Sequence, residues 1–319
     1  MTTAAKTPRR DLYQDITDKI IAELEKGVFP WARPWKCVAE TPEAQPLTSF
    51  SMPRNAKSQR LYSGINTLLL WLAKDEGNYK SNRWLTFNQA KQLGGCVRKR
   101  ERGTLVVYAD KFIPKEERYA AKKENRDAKA VFFLKGFTVF NIDQCDALPE
   151  EAFVTVAPEP ATVPERSAAI IAAAKIDLRI GGDTAYYTPQ GDFIAMPHPS
   201  QFPDRLDFER TFFHEAIHWA GATSRLDRDL SRYHSDNSAR AREELCAELG
   251  ASFVAAAMGI EPTVRHAAYL KSWLAVLKDD KRAIFQAARL ASQSADYLLA
   301  FKGNADPQSE EAEDLAEAA

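Results

Sequence analysis

Cysteine is scarce in this chain of 319 residues, with 4 in all, and no two of them form a Cys-x-x-Cys pair. Cys37, Cys96, Cys145 and Cys246 are scattered. That excludes a disulfide-stapled secreted scaffold and a thiolate metal cage, and it suits free thiols in a reducing cytosol. Long apolar runs are also missing. The longest, such as Leu68 to Ala73 and Phe253 to Ile260, fall far short of the ~20 residues of a membrane-spanning helix. Met1 to Arg10 has no apolar h-region, so the expectation is a cytoplasmic protein with no membrane partner. An apolar content of 45% with 27% charge fits a soluble globular protein, and the length suggests about two domains.

Histidine is scarce too, at 5 residues, which makes the placement of two of them telling. His214-Glu215-Ala216-Ile217-His218 puts imidazoles at i and i+4, on one face of a helix. Both can reach one metal ion, with Glu215 beside them to handle a proton of a water. This is the H-E-x-x-H arrangement of zinc-dependent peptidases. Phe212, Phe213, Ala216, Ile217 and Ala220 supply an apolar flank at helical spacing, and no proline interrupts Asp207 to Thr223.

A catalytic zinc site usually takes a third protein ligand. The extended motif H-E-x-x-H-x-x-G-x-x-H is half present: Gly221 matches, but Ser224 stands at the third-histidine position. His234 lies in a polar loop. The stronger candidate is downstream, where Leu245, Leu249 and Phe253 form a helix seam and Glu244 and Glu248 an adjacent stripe. A carboxylate from a second helix is the two-histidine, one-glutamate pattern. We assign Glu244 as ligand and Glu248 as a group that orients a ligating histidine. Glu243 is read as solvated. The competing reading is an acidic face paired with Arg240 and Arg242.

Upstream, two β-prone runs flank Pro189 to Asp192, which reads as a hairpin turn before Phe193 to Met196. Pro197 and Pro199 suit a sheet edge, where an extended peptide can add as a strand. Tyr186 and Tyr187 are candidates for hydrogen bonding a developing oxyanion, against the plainer role of half-buried strand residues.

The net charge of -1 hides an asymmetry. Arg54 to Lys135 holds 19 lysines and arginines against 8 aspartates and glutamates. Such a stretch suggests a polyanion partner. Basic side chains interleaved with aromatics suit single-stranded DNA, where cations neutralise phosphates and rings stack on bases. The candidates are Trp31, Arg33 and Trp35 in an aromatic turn; Arg54, Lys57, Arg60 and Tyr62; Trp84; and Arg98, Lys99, Arg100 and Arg102. Lys111 to Lys129 reads as a charged mobile insertion in a hairpin. Four prolines between Asp146 and Arg166 mark a linker. The expected organisation is α+β in two domains. Residues 1–145 form a mixed α/β domain, 146–166 a Pro-rich linker, 167–302 a metal-binding domain and 303–319 a disordered acidic tail.

Several segments in order resemble one family. Phe29-Pro-Trp-Ala-Arg-Pro-Trp35, Tyr62-Ser-Gly-Ile-Asn66, Trp84-Leu-Thr-Phe-Asn-Gln89 and Gly94-Gly-Cys-Val-Arg98 are similar to the ArdC family of plasmid antirestriction proteins. The same N-terminal module occurs in TraC-type conjugation primases. His214 to His218, Arg242 to Glu248 and Leu277 to Phe285 resemble the zincin-like metallopeptidase domain of that family. Where the family often has glycine after a Val-Arg/Lys-Lys run, this chain has Arg100.

The resemblance implies a single-stranded-DNA-binding domain followed by a peptidase-like domain that protects incoming conjugative DNA from restriction. The expected cofactor is Zn2+, with another divalent ion such as Mn2+ as the alternative. The expected partners are single-stranded DNA and a protein substrate or restriction enzyme. A different class of reading also stands: a non-catalytic strand-coating protein, or a primase accessory module, whose metal site serves folding. No acidic cluster suited to two magnesium ions appears in the basic segment.

Overall fold

The computed structural model describes residues 11–32, 51–124, 126–153, 164–261, 263 and 267–301. Arg33, Trp35, the middle of the expected linker and the acidic tail lie outside the described residues.

The first helix, α1 (Leu12–Glu25), starts where Asp11 accepts hydrogen bonds from the backbone N–H groups of Tyr13 and Gln14. Its Ile16, Ile20 and Leu24 are buried, as the four-residue spacing predicts. Then come β1 (Arg54–Asn55), α2 (Ile65–Glu76), β2 (Arg83–Thr86) and α3 (Phe87–Gln92). A short β3 (Cys96–Val97) precedes the long hairpin of β4 (Thr104–Phe112) and β5 (Val131–Asn141). Within that hairpin, Lys115–Glu124 forms a helix, α4, where a mobile insertion is expected. Arg126 braces it by an ion pair to Glu117 at 2.5 Å. The sheet runs β1-β2-β5-β4, with β1 parallel to β2 and the other pairs antiparallel.

Two of the family-like segments of this half supply structural contacts. Asn66 takes the place of a strand neighbour for Val107: its Nδ2 donates to Val107 O at 2.9 Å and its Oδ1 accepts from Val107 N at 2.8 Å. Thr86 and Gln89 form a reciprocal cap at the start of α3, and Gln89 also accepts from buried Asn55. Arg100 has φ +71°, in the left-handed region. That region favours glycine and costs an arginine about 1–2 kcal/mol.

Pairing within the first half runs past residue 145, since β6 (Cys145–Asp146) pairs with β3. The second half opens with α5 (Pro164–Ala174), so the expected linker of 146–166 is structured at both ends. A three-stranded sheet follows, β7 (Asp177–Ile180), β8 (Tyr186–Thr188) and β9 (Phe193–Met196), in the order β7-β9-β8. The predicted hairpin is β8–β9. Its second strand is central, so the prolines stop β9 and do not mark an edge; the edges are β7 and β8. Among the described residues four α-helices follow: α6 (Arg205–Ala220), α7 (Asn237–Ala257), α8 (Leu270–Asp279) and α9 (Ala283–Ala300).

The two halves share one apolar core. Ile16, Ile20, Trp31, Leu68 and Trp71 belong to the same buried cluster as Phe212, Phe253 and Trp273. Trp31 meets Trp273 edge-on at 5.8 Å, and Trp71 meets Phe253 at 5.6 Å. Thr17 Oγ1 donates to Lys281 O at 2.8 Å across the same boundary.

Candidate metal centre

Helix α6 begins at Asp204, whose carboxylate accepts from Asp207 N at 2.7 Å. From Phe212 to Ala220 every residue is buried, so the helix runs through the interior and not along a surface. Helix α7 crosses it closely because Gly250 faces Ile217: a Cβ there would sit 2.7 Å from Ile217 Cδ1. That approach brings the N-terminal part of α7 to the histidines.

His214, His218 and Glu244 place one ligand atom each within 4.8 Å of one another. His214 Nε2 is 3.4 Å from Glu244 Oε2, and His218 Nε2 is 3.8 Å from Glu244 Oε1. Atoms bound tetrahedrally at about 2.1 Å stand roughly 3.4 Å apart, so these separations fit a shared ion. The charge fits as well. Glu215, Glu243, Glu244 and Glu248 are each at most 9% exposed, while the buried guanidinium among them is Arg228. A buried excess of negative charge is favourable only beside a cation.

The carboxylates around it favour positive charge on the imidazole of His214. Burial opposes its charge, but Glu244 and Glu248 outweigh that and push its pKa up to about 10. Burial likewise opposes the charge on Glu244, yet the two histidines bring its pKa down to about 2.

Of the carboxylates on α7, Glu244 reaches both histidines and Glu248 lies 3.6 Å from His214 Nδ1. Glu243, expected in solvent, is instead buried, with Oε1 2.9 Å from His218 Nδ1. Arg228 holds it with Nη2 at 2.6 Å and Nε at 3.2 Å, and donates also to Ile217 O at 2.7 Å. The guanidinium lies against Gly221, where any Cβ would collide at 2.5 Å. Nothing in the spacing marks Glu243. Adjacent helical residues point about 100° apart, and both face α6 only because α6 crosses there. Arg240 and Arg242 do not pair with these carboxylates. Arg242 meets Asp280 at 3.1 Å, and Arg240 packs on Tyr233.

Tyr233, and not His234, reaches the centre from the loop after α6: its hydroxyl donates to Glu244 Oε1. His234 is absent from the group of ligand atoms found among the described residues. Glu215 Oε2 accepts from the backbone N–H of Tyr187 at 3.0 Å, so edge strand β8 holds this carboxylate. The Tyr187 hydroxyl is engaged elsewhere, donating to Asp192 at 3.0 Å and accepting from Arg225 at 3.3 Å. Burial first, and Asp192 second, push its pKa up to about 12. Its contribution at Glu215 is its backbone. Tyr186 is half-exposed and packs edge-on against Phe193 at 6.2 Å.

Three of the aromatic DNA candidates are corrected, while Trp35 lies outside the described residues. Trp31 and Trp84 are 0% exposed and Tyr62 is 4% exposed, so none offers a face to a base. Large rings near basic residues in sequence are here core packing. Exposed rings in the basic half are Phe87, Phe112 and Tyr119, and Lys91 lies 5.3 Å over Phe87. Lys57, Lys99, Arg100 and Arg102 are exposed, while Arg54 and Arg60 are half-buried. Arg98 is tied to Glu101 at 2.9 Å and to Asp143 O at 2.6 Å.

Comparison with known proteins agrees with this two-part layout. Residues 10–140 match the N-terminal domain of anti-restriction factor ArdC, and residues 165–290 match a zincin-like metallopeptidase family. The crystal structure of the antirestriction protein ArdC from plasmid R388, metal-free, is 39% identical with a TM-score of 0.76, covering 93% of this chain and 100% of that one. Its Mn(II)-bound form is 40% identical with a TM-score of 0.74, covering 92% and 99%. Protein y4eC of Sinorhizobium fredii is 36% identical over 95% of this chain and 97% of its own length. An Escherichia coli DNA primase TraC is 33% identical over 92% of this chain, which spans only 20% of that primase.

Proposed function

This chain belongs to the ArdC antirestriction family, and on that premise we propose that it binds single-stranded DNA and carries a metal-dependent, peptidase-like centre that protects incoming plasmid DNA. The observation that carries the reading is the convergence of His214, His218 and Glu244 beside a Glu215 fixed by strand β8. The two-histidine, one-carboxylate donor set favours zinc, and the Mn(II) in the R388 protein supports a divalent ion.

His214, His218 and Glu244 would hold the ion, which when bound supplies Lewis acidity toward a carbonyl and acidity toward a water. Glu215 would act as the general base toward a water at the site and pass the proton to the leaving amine. Tyr187 N–H keeps Glu215 aimed, and Glu243 keeps His218 turned with Nε2 inward. The backbone of edge strand β8 is where an extended peptide would pair. The protein target is a restriction enzyme or another protein near the entering strand.

Glu215→Gln tests the chemistry. It is expected to leave metal content and DNA affinity unchanged and to abolish protection of conjugated DNA in a restricting recipient. Full protection by this variant would instead favour strand coating with a structural metal.

For DNA, reversing Lys99, Arg100 and Arg102 to glutamate in the full chain is expected to weaken oligonucleotide binding at least tenfold. The salt dependence should flatten by roughly 0.7 per lost phosphate contact. Titrations at two salt concentrations read both quantities, and an unchanged slope would remove this surface from the path. The full chain is needed because α1 and Trp31 pack on α8 of the second half.

A further inference from the structure

A cavity of about 880 Å3 opens between the two halves, and none of the metal-centre residues lines it. On one wall stand Arg282, Gln286, Arg289, Gln293 and Asp296. They recur at steps of four, three, four and three, so they form one stripe along α9. All five are exposed, whereas Ala287, Ala288, Ala291 and Ala295 between them are buried. The opposite wall is the turn after β1, with Gln59, Arg60 and Leu61, the last 38% exposed. Tyr13 and Phe285 meet edge-on at 4.7 Å, and Arg282 lies 5.1 Å over the Tyr13 ring. The walls are tied together where Gly64 N donates to Ser292 Oγ at 2.8 Å.

Among the described lining residues, Arg60, Arg282 and Arg289 are the cations and Asp296 the acid. Arginines suit phosphates, while carboxamides and rings suit the edges and faces of unpaired bases. Along the helix Arg282 and Arg289 stand roughly 10 Å apart, so they can serve different phosphates of one strand. A duplex hides its base faces and has no use for the apolar part of the lining.

We propose that single-stranded DNA lies in this cleft, with phosphates on Arg60, Arg282 and Arg289 and bases against Tyr13, Phe285 and Leu61. The second half thereby takes part in strand binding directly. This inference rests on the DNA-binding reading above.

The test is fluorescence anisotropy of labelled oligo-dT with the full chain at two salt concentrations. Arg282→Glu with Arg289→Glu is expected to weaken binding at least tenfold and to lower the salt slope by roughly 1.4, that is 0.7 for each contact. The charge-matched pair Lys175→Glu with Lys271→Glu, on exposed sites off the cleft, should stay near wild type. If the double reversal unfolds the chain, Arg289→Gln alone should still weaken binding severalfold. Wild-type affinity and slope in a folded Arg282→Glu, Arg289→Glu protein overturn the cleft and leave the DNA reading standing. Failure of the wild type to bind any single strand overturns that reading itself. Displacement of oligo-dT by polyglutamate at equal charge concentration would make the cleft a general groove for acidic chains, which also overturns the proposal.

Discussion

His218→Ala is expected to reduce bound divalent metal from about one ion per chain to near zero, because a site of three protein ligands does not hold on two. Elemental analysis of dialysed protein reads this directly, and Glu244→Ala should behave the same way. Replacements beside the ligands should be milder. Glu243→Gln keeps the shape but weakens the acceptor that turns His218, and such outer partners typically cost about 10- to 100-fold in metal affinity. Glu248→Gln is expected in the same range, since its carboxylate lies 3.6 Å from His214 Nδ1. Stoichiometric metal in His218→Ala would disprove the site. Loss as complete in Glu248→Gln as in Glu244→Ala would exchange the roles of the two glutamates.

Trp31→Ala is expected to destabilise the protein by about 3–5 kcal/mol, the cost of deleting a fully buried aromatic ring. Trp31 touches Phe29 and Trp273 at 5.8 Å each, and its cavity would open between the halves. Urea denaturation followed by far-ultraviolet circular dichroism gives the midpoint shift. If the transition is two-state, both halves should lose cooperativity together, since their core is continuous. A variant as stable as wild type that binds oligonucleotides poorly would contradict the burial and return the ring to the DNA surface.

The contrast between these experiments shows what kind of information each residue carried. The placement of His214 and His218 on one helical face was legible because i, i+4 spacing is a local property. Glu244 was legible for a similar reason, as one of two glutamates a turn apart beside an apolar seam. The four-residue spacing of Ile16, Ile20 and Leu24 announced α1 by periodicity. The segments resembling the family pointed to both halves, although Asn66 and Gln89 turned out to be hydrogen-bonded supports of the scaffold.

Other features depended on which element lies across from which. Glu243 looks as solvated as any helical glutamate until α6 crosses α7 at Gly250 and Arg228 folds back over Gly221. The aromatics between basic residues had the composition of a stacking surface, but burial is decided by packing partners such as Trp273, which lie over 200 residues away in the chain. The cleft between Arg60 and the α9 stripe has the same origin. The sequence by itself determined the helix with the paired histidines, the helix with the paired glutamates, the basic charge and most element types, because each depends on neighbours within a turn or a strand. Tertiary structure alone decided which carboxylate reaches which nitrogen, which rings are hidden and where the halves leave an opening, because those depend on contacts between elements distant in sequence.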